Sequence, residues 1–372
     1  MVIVKQIYMG LVSFYSHLFF LFKRKKRVIY LMSFPDNDKG FIKSLAEEIE
    51  VVVFYKQKCA KEANKLKKNG IKVYPMDNPI YLVIYVIPFI TLSRIVIIDN
   101  YFPVLGGIKK RNQEFIQIWH AIGAIKQFGL EDKQLLLRKE SDIRRYQKVY
   151  QSIDKYVVAS RNMGEVFKKS YNAKEEQILY FGLPRADQLV GTFKKKSQNM
   201  QKKQILYAPT YREGQNTLPP LDLAKLEHTL SHDYQLTIKL HPHIQHLAEK
   251  EKDTDFIKWH RSTNRLDDLV RQADILMTDY SSVAFDYSLA NPLSKVIFFW
   301  YDEEEYNHLI GIQPRFLSMD SFVAAQSTED VVNQVKKNSE SILGILNDEW
   351  NTYNDGKSAE RLIHYILELL GE

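Results

Sequence analysis

Cysteine is almost missing from this sequence. Cys59 is the single thiol among 372 residues, so no intramolecular disulfide can form and no cysteine-built zinc site exists. Such usage fits a cytosolic chain better than a secreted one. Glycine and proline are sparse, at 15 and 12 residues, which excludes a collagen-like or low-complexity scaffold. There is no GxxxxGK[ST] phosphate loop and no GxSxG nucleophile elbow. No apolar run is both long and clean enough to make a good membrane span. What is there is ordinary globular material, 45% hydrophobic and 26% charged. That excludes a disordered chain and a polytopic membrane protein. The length suits two domains, each able to bury a core.

Basic residues outnumber acidic ones by 52 to 45, and their placement says more than their sum. Lys23, Arg24, Lys25, Lys26 and Arg27 form one run behind the apolar and aromatic stretch 1–22. A secretory signal carries its charge in front of the apolar core, so this order is the reverse of one. Two readings stay open. Residues 1–27 are an amphipathic segment lying on anionic lipid, which we favour, or they are a helix packed on the protein body with a solvated basic end. A second apolar segment, 79–93, holds almost nothing polar but contains Pro88. It reads equally as a buried helix or as an element dipping into a bilayer surface. Nucleic-acid binding is disfavoured, because the basic residues do not interleave with aromatics in any recognisable motif.

Short apolar runs at 27–32, 51–55, 71–74, 94–98, 115–119, 155–159 and 177–181 alternate with amphipathic stretches such as 39–49 and 60–68. Residues 192–203, TFKKKSQNMQKK, are polar and basic and read as a linker. The pattern then restarts, with strands at 204–207, 235–240, 275–278 and 295–300, helices at 266–272 and 282–289, and a helical tail over 328–371. This alternation predicts an α/β protein of two Rossmann-like domains with parallel sheets facing a cleft. The expected layout is 28–192 for the first domain, 204–350 for the second and 351–372 for a C-terminal helix.

Ligands of open α/β sheets lie beyond the carboxyl ends of the strands. The residues following the predicted strands are therefore the candidates. In the first half they are Ser33 to Asp36, Asp99-Asn100-Tyr101, His120 to Gly123 and Gly182-Leu183-Pro184-Arg185. In the second they are Ala208-Pro209-Thr210-Tyr211-Arg212, His241-Pro242-His243 and Asp279-Tyr280-Ser281-Ser282. Ser281 and Ser282 open a helix whose first N–H groups suit an anion, although plain capping would use the same residues. Arg212 offers a fork of donors to a phosphate, or a salt bridge. Lys239 and His241 alternate on a strand end and so share a side, with a solvated strand-end lysine as the plain alternative. His120 is placed to act as a base near neutral pH, or is a core histidine with a satisfied hydrogen bond. Asp99 could orient a base, bind a hydroxyl or cap a loop. Asp286, four residues after Ser282, lies on the same helical face, or is simply an exposed helix carboxylate. His241, His243 and His246 match no standard zinc spacing.

At these positions the sequence resembles the CDP-glycerol glycerophosphotransferase family of wall teichoic acid synthesis. The matching stretches are IIDNYFPVLGG (97–107), QIWHAIGAIKQFGL (117–130), YFGLPRAD (180–187), YAPTYRE (207–213), KLHPH (239–243) and DILMTDYSSVAFDYSLANP (274–292). They occur in family order, cover about the middle half of the chain and are specific as a set. The short length and the NYFPVLGG stretch look most like the primase branch. Many members, polymerases among them, follow the first-motif histidine with Gly-Thr-Pro-Leu-Lys. Here Ala121-Ile122-Gly123-Ala124-Ile125-Lys126 follows it, which argues against a polymerase without identifying the acceptor.

The resemblance implies a GT-B-like fold with the nucleotide site in the C-terminal domain. It implies transfer of one glycerol phosphate from CDP-glycerol to a ManNAc-GlcNAc disaccharide on undecaprenyl diphosphate, with release of CMP. Such an enzyme works at the inner face of the cytoplasmic membrane as a peripheral protein, where other teichoic acid enzymes are natural partners. In that scheme His120, His241 and Asp99 are catalytic. Gly123, Arg185, Pro209, Thr210, Arg212, Lys239, His241, Asp279, Ser281, Ser282 and Asp286 receive CDP-glycerol. Asn100 and Lys126 bind the acceptor. No metal site is expected, while a divalent cation such as Mg2+ stays an open requirement. Three other readings are kept: a chain-extending or capsule glycerol- or ribitol-phosphate transferase, a nucleotide-sugar GT-B glycosyltransferase releasing UDP, and a silent membrane-docking module that has no use for His120.

Overall fold

The computed structural model describes residues 2–191, 202–212, 217–262, 266–319, 322–337 and 342–371. Seven strands form one sheet: β1 (Lys25–Met32), β2 (Val51–Tyr55), β3 (Lys72–Pro75), β4 (Ser93–Ile98), β5 (Glu114–Gln117), β6 (Lys155–Val157) and β7 (Ile178–Leu179), in the order β3-β2-β1-β4-β5-β6-β7. Five more form a second sheet: β8 (Lys203–Ala208), β9 (Tyr234–Ile238), β10 (Ile257–Trp259), β11 (Ile275–Thr278) and β12 (Lys295–Phe298), in the order β10-β9-β8-β11-β12. All strand pairs are parallel. The unbroken apolar runs explain this. Val28 to Leu31 and Val52 to Phe54 are wholly buried, as strands covered on both faces must be. The strand β10 escaped the sequence reading because three residues, Ile-Lys-Trp, are too few to show a period.

The chain divides into two compact units, and not at a single point. Residues 1–120, 128–188 and 352–372 make unit 1; residues 121–127 and 189–351 make unit 2. The segment read as a linker lies, up to residue 201, outside the described residues. Among the described residues the helical tail shows three helices, of which Thr328–Lys336 and Leu343–Trp350 belong to unit 2 and Ser358–Leu370 to unit 1.

The last of these helices explains much of the YFGLPRAD motif. The Asp187 carboxylate accepts the N–H groups of Ser358 at 3.0 Å and Ala359 at 2.8 Å, capping the helix start. Gly182 sits at φ +76°, where a Cβ would come within 2.3 Å of the Tyr353 carbonyl and the Ser358 hydroxyl. No side chain fits there.

The N-terminal segment is a helix, Val2–Leu18, packed on unit 1 by one face. Val12 and Ser16 are buried, and a Cβ on Gly107 would come within 2.9 Å of Val12. The Gly-Gly of NYFPVLGG therefore lets this helix dock closely. Its other face stays apolar and exposed, with Leu11 62% and Phe14 68% accessible. The packed face answers to the reading of a helix on the protein body; the other face is exposed and apolar. The basic run is not uniformly solvated. Arg24 turns inward onto the carbonyls of Phe19, Phe20 and Phe22, and Arg27 donates to Ser93 Oγ at 2.7 Å over the Phe89 ring. Lys23, Lys25 and Lys26 remain exposed.

The second apolar segment is also helical, Pro79–Tyr81 and Ile87–Thr91 joined by a π turn over Leu82–Val86. The widened turn sits just ahead of Pro88, whose ring and missing N–H an ordinary α-helix accommodates badly. Ile87, Pro88 and Ile90 are buried, while Ile80, Val83 and Ile84 are exposed. Among the described residues no helix is long and apolar enough to cross a membrane.

Candidate active site

In unit 1 the strand registers bring three loops together. Leu31 of β1 pairs Ile98 of β4, and Ile98 pairs Gln117 of β5. The residues that follow, Ser33, Asp99 and His120, therefore emerge at one sheet edge. The Asp99 carboxylate is fully buried and accepts from Ser33 N, Ser33 Oγ and Phe34 N at 2.8–3.0 Å. Burial outweighs these bonds and pushes its carboxyl up to about 6. This places the Asp99 side chain on the β1 loop, not on the histidine.

It is the Asp99 carbonyl that reaches His120, 3.0 Å from Nδ1. A carbonyl can only accept, so Nδ1 carries the proton and the imidazole lone pair lies on Nε2. The ring stacks on Phe34, with centroids 4.1 Å apart and planes 12° apart. Asn100 accepts from Gln117 Nε2 through its carbonyl, and its own side-chain oxygen is turned back on the Tyr101 N–H. Arg185 lies in the short turn Pro184–Ala186 of unit 1, half-buried.

In unit 2 the same alignment recurs. Tyr207 of β8 pairs Ile238 of β9, Ala208 pairs Thr278 of β11, and Thr278 pairs Phe298 of β12. Pro209 and Thr210, Lys239 to His241, and Asp279 to Ser282 follow at one edge. Arg212 does not present a free fork to a phosphate. Its Nε and Nη2 donate to the Asp302 carboxylate at 2.7 and 3.1 Å, and Nη1 to Asp279 at 2.9 Å. Three rings, Tyr280, Tyr301 and Tyr306, surround it. Asp279 in turn takes the N–H and hydroxyl of Thr210 at 2.8 and 2.9 Å. Arg212, Asp279 and Asp302 therefore shape the loop after β8.

Lys239 is a buried cation with no carboxylate partner among the described residues. It is 6% exposed, and Nζ donates to the Leu240 carbonyl and to Gln245 Oε1, both neutral, at 3.0 Å. Burial lowers its pKa. His241 accepts the His243 N–H on Nδ1 at 3.3 Å, so Nε2 carries its proton. Burial first, then the charges of His243, Lys126 and Lys239, pull its pKa down to about 4. At neutral pH His241 is an uncharged donor, suited to holding a phosphate oxygen and poor as an acid. Lys126, which the sequence assigns to the acceptor, belongs to unit 2, where its charge reaches His241.

The seven residues after His120 pack as part of unit 2. A Cβ on Gly123 would meet the Phe285 ring at 2.7 Å, and Gln127 N–H donates to Gly311 at 2.9 Å. Phe285 lies on the helix Val283–Ala290, which Ser281 caps through Oγ at 3.3 Å from Val283 N–H, while Ser282 makes no side-chain cap. Asp286 is buried on that helix. Among the described residues no group of three or more His, Cys, Asp or Glu could hold a metal ion. The sequence reading missed Asn37 and Asp302. Asp302 follows the strand β12, so the strand-end rule would have found it had it been applied there.

Over residues 13–368 the chain matches the family described as CDP-Glycerol:Poly(glycerophosphate) glycerophosphotransferase. It is 34% identical to the teichoic acid glycerol-phosphate primase of Bacillus subtilis (strain 168), covering 94% of this chain and 93% of that one. Against the protein of the same name from Staphylococcus aureus (strain NCTC 8325 / PS 47) the identity is 32%, over 92% and 91%. Among solved structures, the wall teichoic acid polymerase TagF superimposes with a TM-score of 0.75 at 18% identity, covering 100% of this chain and 98% of that one. At that identity the likeness speaks for the fold.

Proposed function

This chain belongs to the CDP-glycerol:poly(glycerophosphate) glycerophosphotransferase family, and from that premise we propose that it is a primase. It transfers one glycerol phosphate from CDP-glycerol to a saccharide hydroxyl of a lipid-diphosphate-linked acceptor. The observation that carries this reading is the 34% identity to a glycerol-phosphate primase along 93% of that protein's length. The acceptor oxygen attacks the phosphorus bearing glycerol and forms the new P–O bond. The bond from that phosphorus to the bridging diphosphate oxygen breaks, and CMP leaves with the electron pair. His120 takes the hydroxyl proton on Nε2.

Phosphoryl transfer is mostly positioning and charge stabilisation. Lys239, Lys126 and the Nε2–H of His241 hold the donor's diphosphate. Ser281, Ser282 and the first turn of their helix add donors. Arg212, with Asp279 and Asp302, acts by fixing Thr210 and its loop. Asn100 and Arg185 are left to the acceptor and to diphosphate.

The exposed face of the Val2–Leu18 helix and the lysines behind it rest on the anionic inner leaflet as a peripheral anchor. Leu11→Asp with Phe14→Asp should abolish co-sedimentation with anionic vesicles while sparing transfer to a short-chain soluble acceptor. The reaction itself is tested by incubating the protein with CDP-glycerol and a lipid-linked disaccharide. Mass spectrometry should find one added glycerol phosphate and equimolar CMP. A ladder of products, or release of UDP from a sugar nucleotide instead, overturns the reading.

A further inference from the structure

The residue before His120 holds a backbone conformation that its side chain resists. Trp119 lies at φ +57°, in the left-handed region that a bulky residue enters only when its surroundings force it. A glycine would adopt this turn without strain, yet the ring is needed. It stacks on Phe128 at 5.0 Å and meets Phe167 edge-on at 5.7 Å. Both sides of the strained residue are tied down. Its N–H donates to Gln117 Oε1 at 3.0 Å, and its carbonyl accepts from Asn37 Nδ2 at 2.9 Å. Asn37 and Gln117 are 4% and 1% exposed. Gln117 spends its other end on the Asn100 carbonyl at 3.1 Å, next to the Asp99 carbonyl that receives His120.

Asn37 comes from a loop that is itself unusual. Asp36, Lys39 and Gly40 all have positive φ. The same loop begins with Ser33 and Phe34, which the Asp99 carboxylate holds so that Phe34 covers the His120 ring. Thus two tethers fix the residue preceding His120, one on each of its peptides, while a third, from Asp99, fixes the face against which it stacks. Turning the Trp119 carbonyl away would redirect the Cα–Cβ bond of the next residue.

We propose that Asn37 is a positioning residue for His120: its amide clamps the Trp119 carbonyl, holds the left-handed turn and so keeps Nδ1 on the Asp99 carbonyl and the lone pair on Nε2. The clamp must donate. An aspartate of the same shape cannot do so while ionised.

The proposal rests on His120 being the base, and the test separates the two. Full-length protein labelled with 15N-histidine is compared as wild type, Asn37→Asp and Asn37→Ala, with the His120 signals assigned by difference against His120→Asn. In the wild type His120 should appear as the Nδ1–H tautomer. In Asn37→Asp at pH 8 it should become a mixture, and turnover should fall by roughly 10- to 10²-fold, the scale of a small misplacement. The KM for CDP-glycerol should not change. Asn37→Ala should behave alike and serves if the aspartate does not fold. A wild-type tautomer and turnover in either variant overturns the clamp, and so does a loss of turnover with the tautomer unmoved. If His120→Asn keeps full turnover, the base assignment fails, but the tautomer comparison still decides for or against the clamp.

Discussion

The carboxyl edges of the two sheets are built to opposite electrostatic plans. In unit 1 a buried carboxylate, Asp99, faces backbone N–H groups and is pushed toward the neutral form, and the nearby imidazole is held by a main-chain carbonyl. In unit 2 a buried ammonium, Lys239, has neutral partners among the described residues, and the carboxylates of Asp279 and Asp302 are matched to Arg212. The first edge is suited to accepting a proton, the second to receiving a multiply charged anion.

The contrast is sharpest in kinetics. His120→Ala should lower turnover by about 10²–10⁴-fold, the usual share of one general base, with CDP-glycerol affinity by calorimetry unchanged. Unchanged turnover would leave unit 1 without a catalytic task.

Arg212→Met probes the other side of the comparison. It strands Asp279 and Asp302 without their cation, so thermal unfolding should report a loss of about 3–5 kcal/mol, the cost typical of a broken buried pair. A stable variant with weak donor binding would instead make Arg212 a direct ligand.

Lys239→Met keeps length and removes charge. Loss of a charge-assisted bond of about 1.5–3 kcal/mol should weaken CDP-glycerol binding by roughly 10- to 10²-fold, while turnover at saturation survives. A fall in saturated turnover alone would move Lys239 from binding into the chemical step.

The smallest effect is in the pH dependence of stability. His241 is held at about 4 against an ordinary 6.5, so its contribution is present above pH 6.5 and lost as pH falls toward 4. Asp99 is raised to about 6 from 3.8, so its contribution is present at low pH and lost as pH rises through about 6. The two slopes oppose each other. His241→Gln should leave a melting temperature that falls more steeply between pH 4 and 6, and Asp99→Asn one that rises more steeply. Parallel curves for both variants would show that neither environment is as described.

Much of this was readable in one dimension, and for a definite reason. Strands buried on both faces must be unbroken apolar runs, so 51–55 and 275–278 were placed to the residue. Loops beyond their carboxyl ends then supplied His120, Lys239, His241 and Asp279 as candidates. Roles were harder to read than places. Arg212 looked like a phosphate ligand because a sequence does not show that Asp302, ninety residues on, reaches it first. Trp119 was read as the end of a strand, since a positive φ leaves no mark on a residue whose type is chosen for its packing.

The order of apolar runs and the chemistry that follows each one determined the α/β class, the parallel sheets and the residues worth testing, because both are local properties of the chain. Which charges stay unbalanced, which motif glycines exist only to admit a neighbouring helix, and how a strained peptide is pinned ahead of His120 were decided by tertiary structure alone. Each depends on a partner tens of residues away, and burial is what gives that partner its weight.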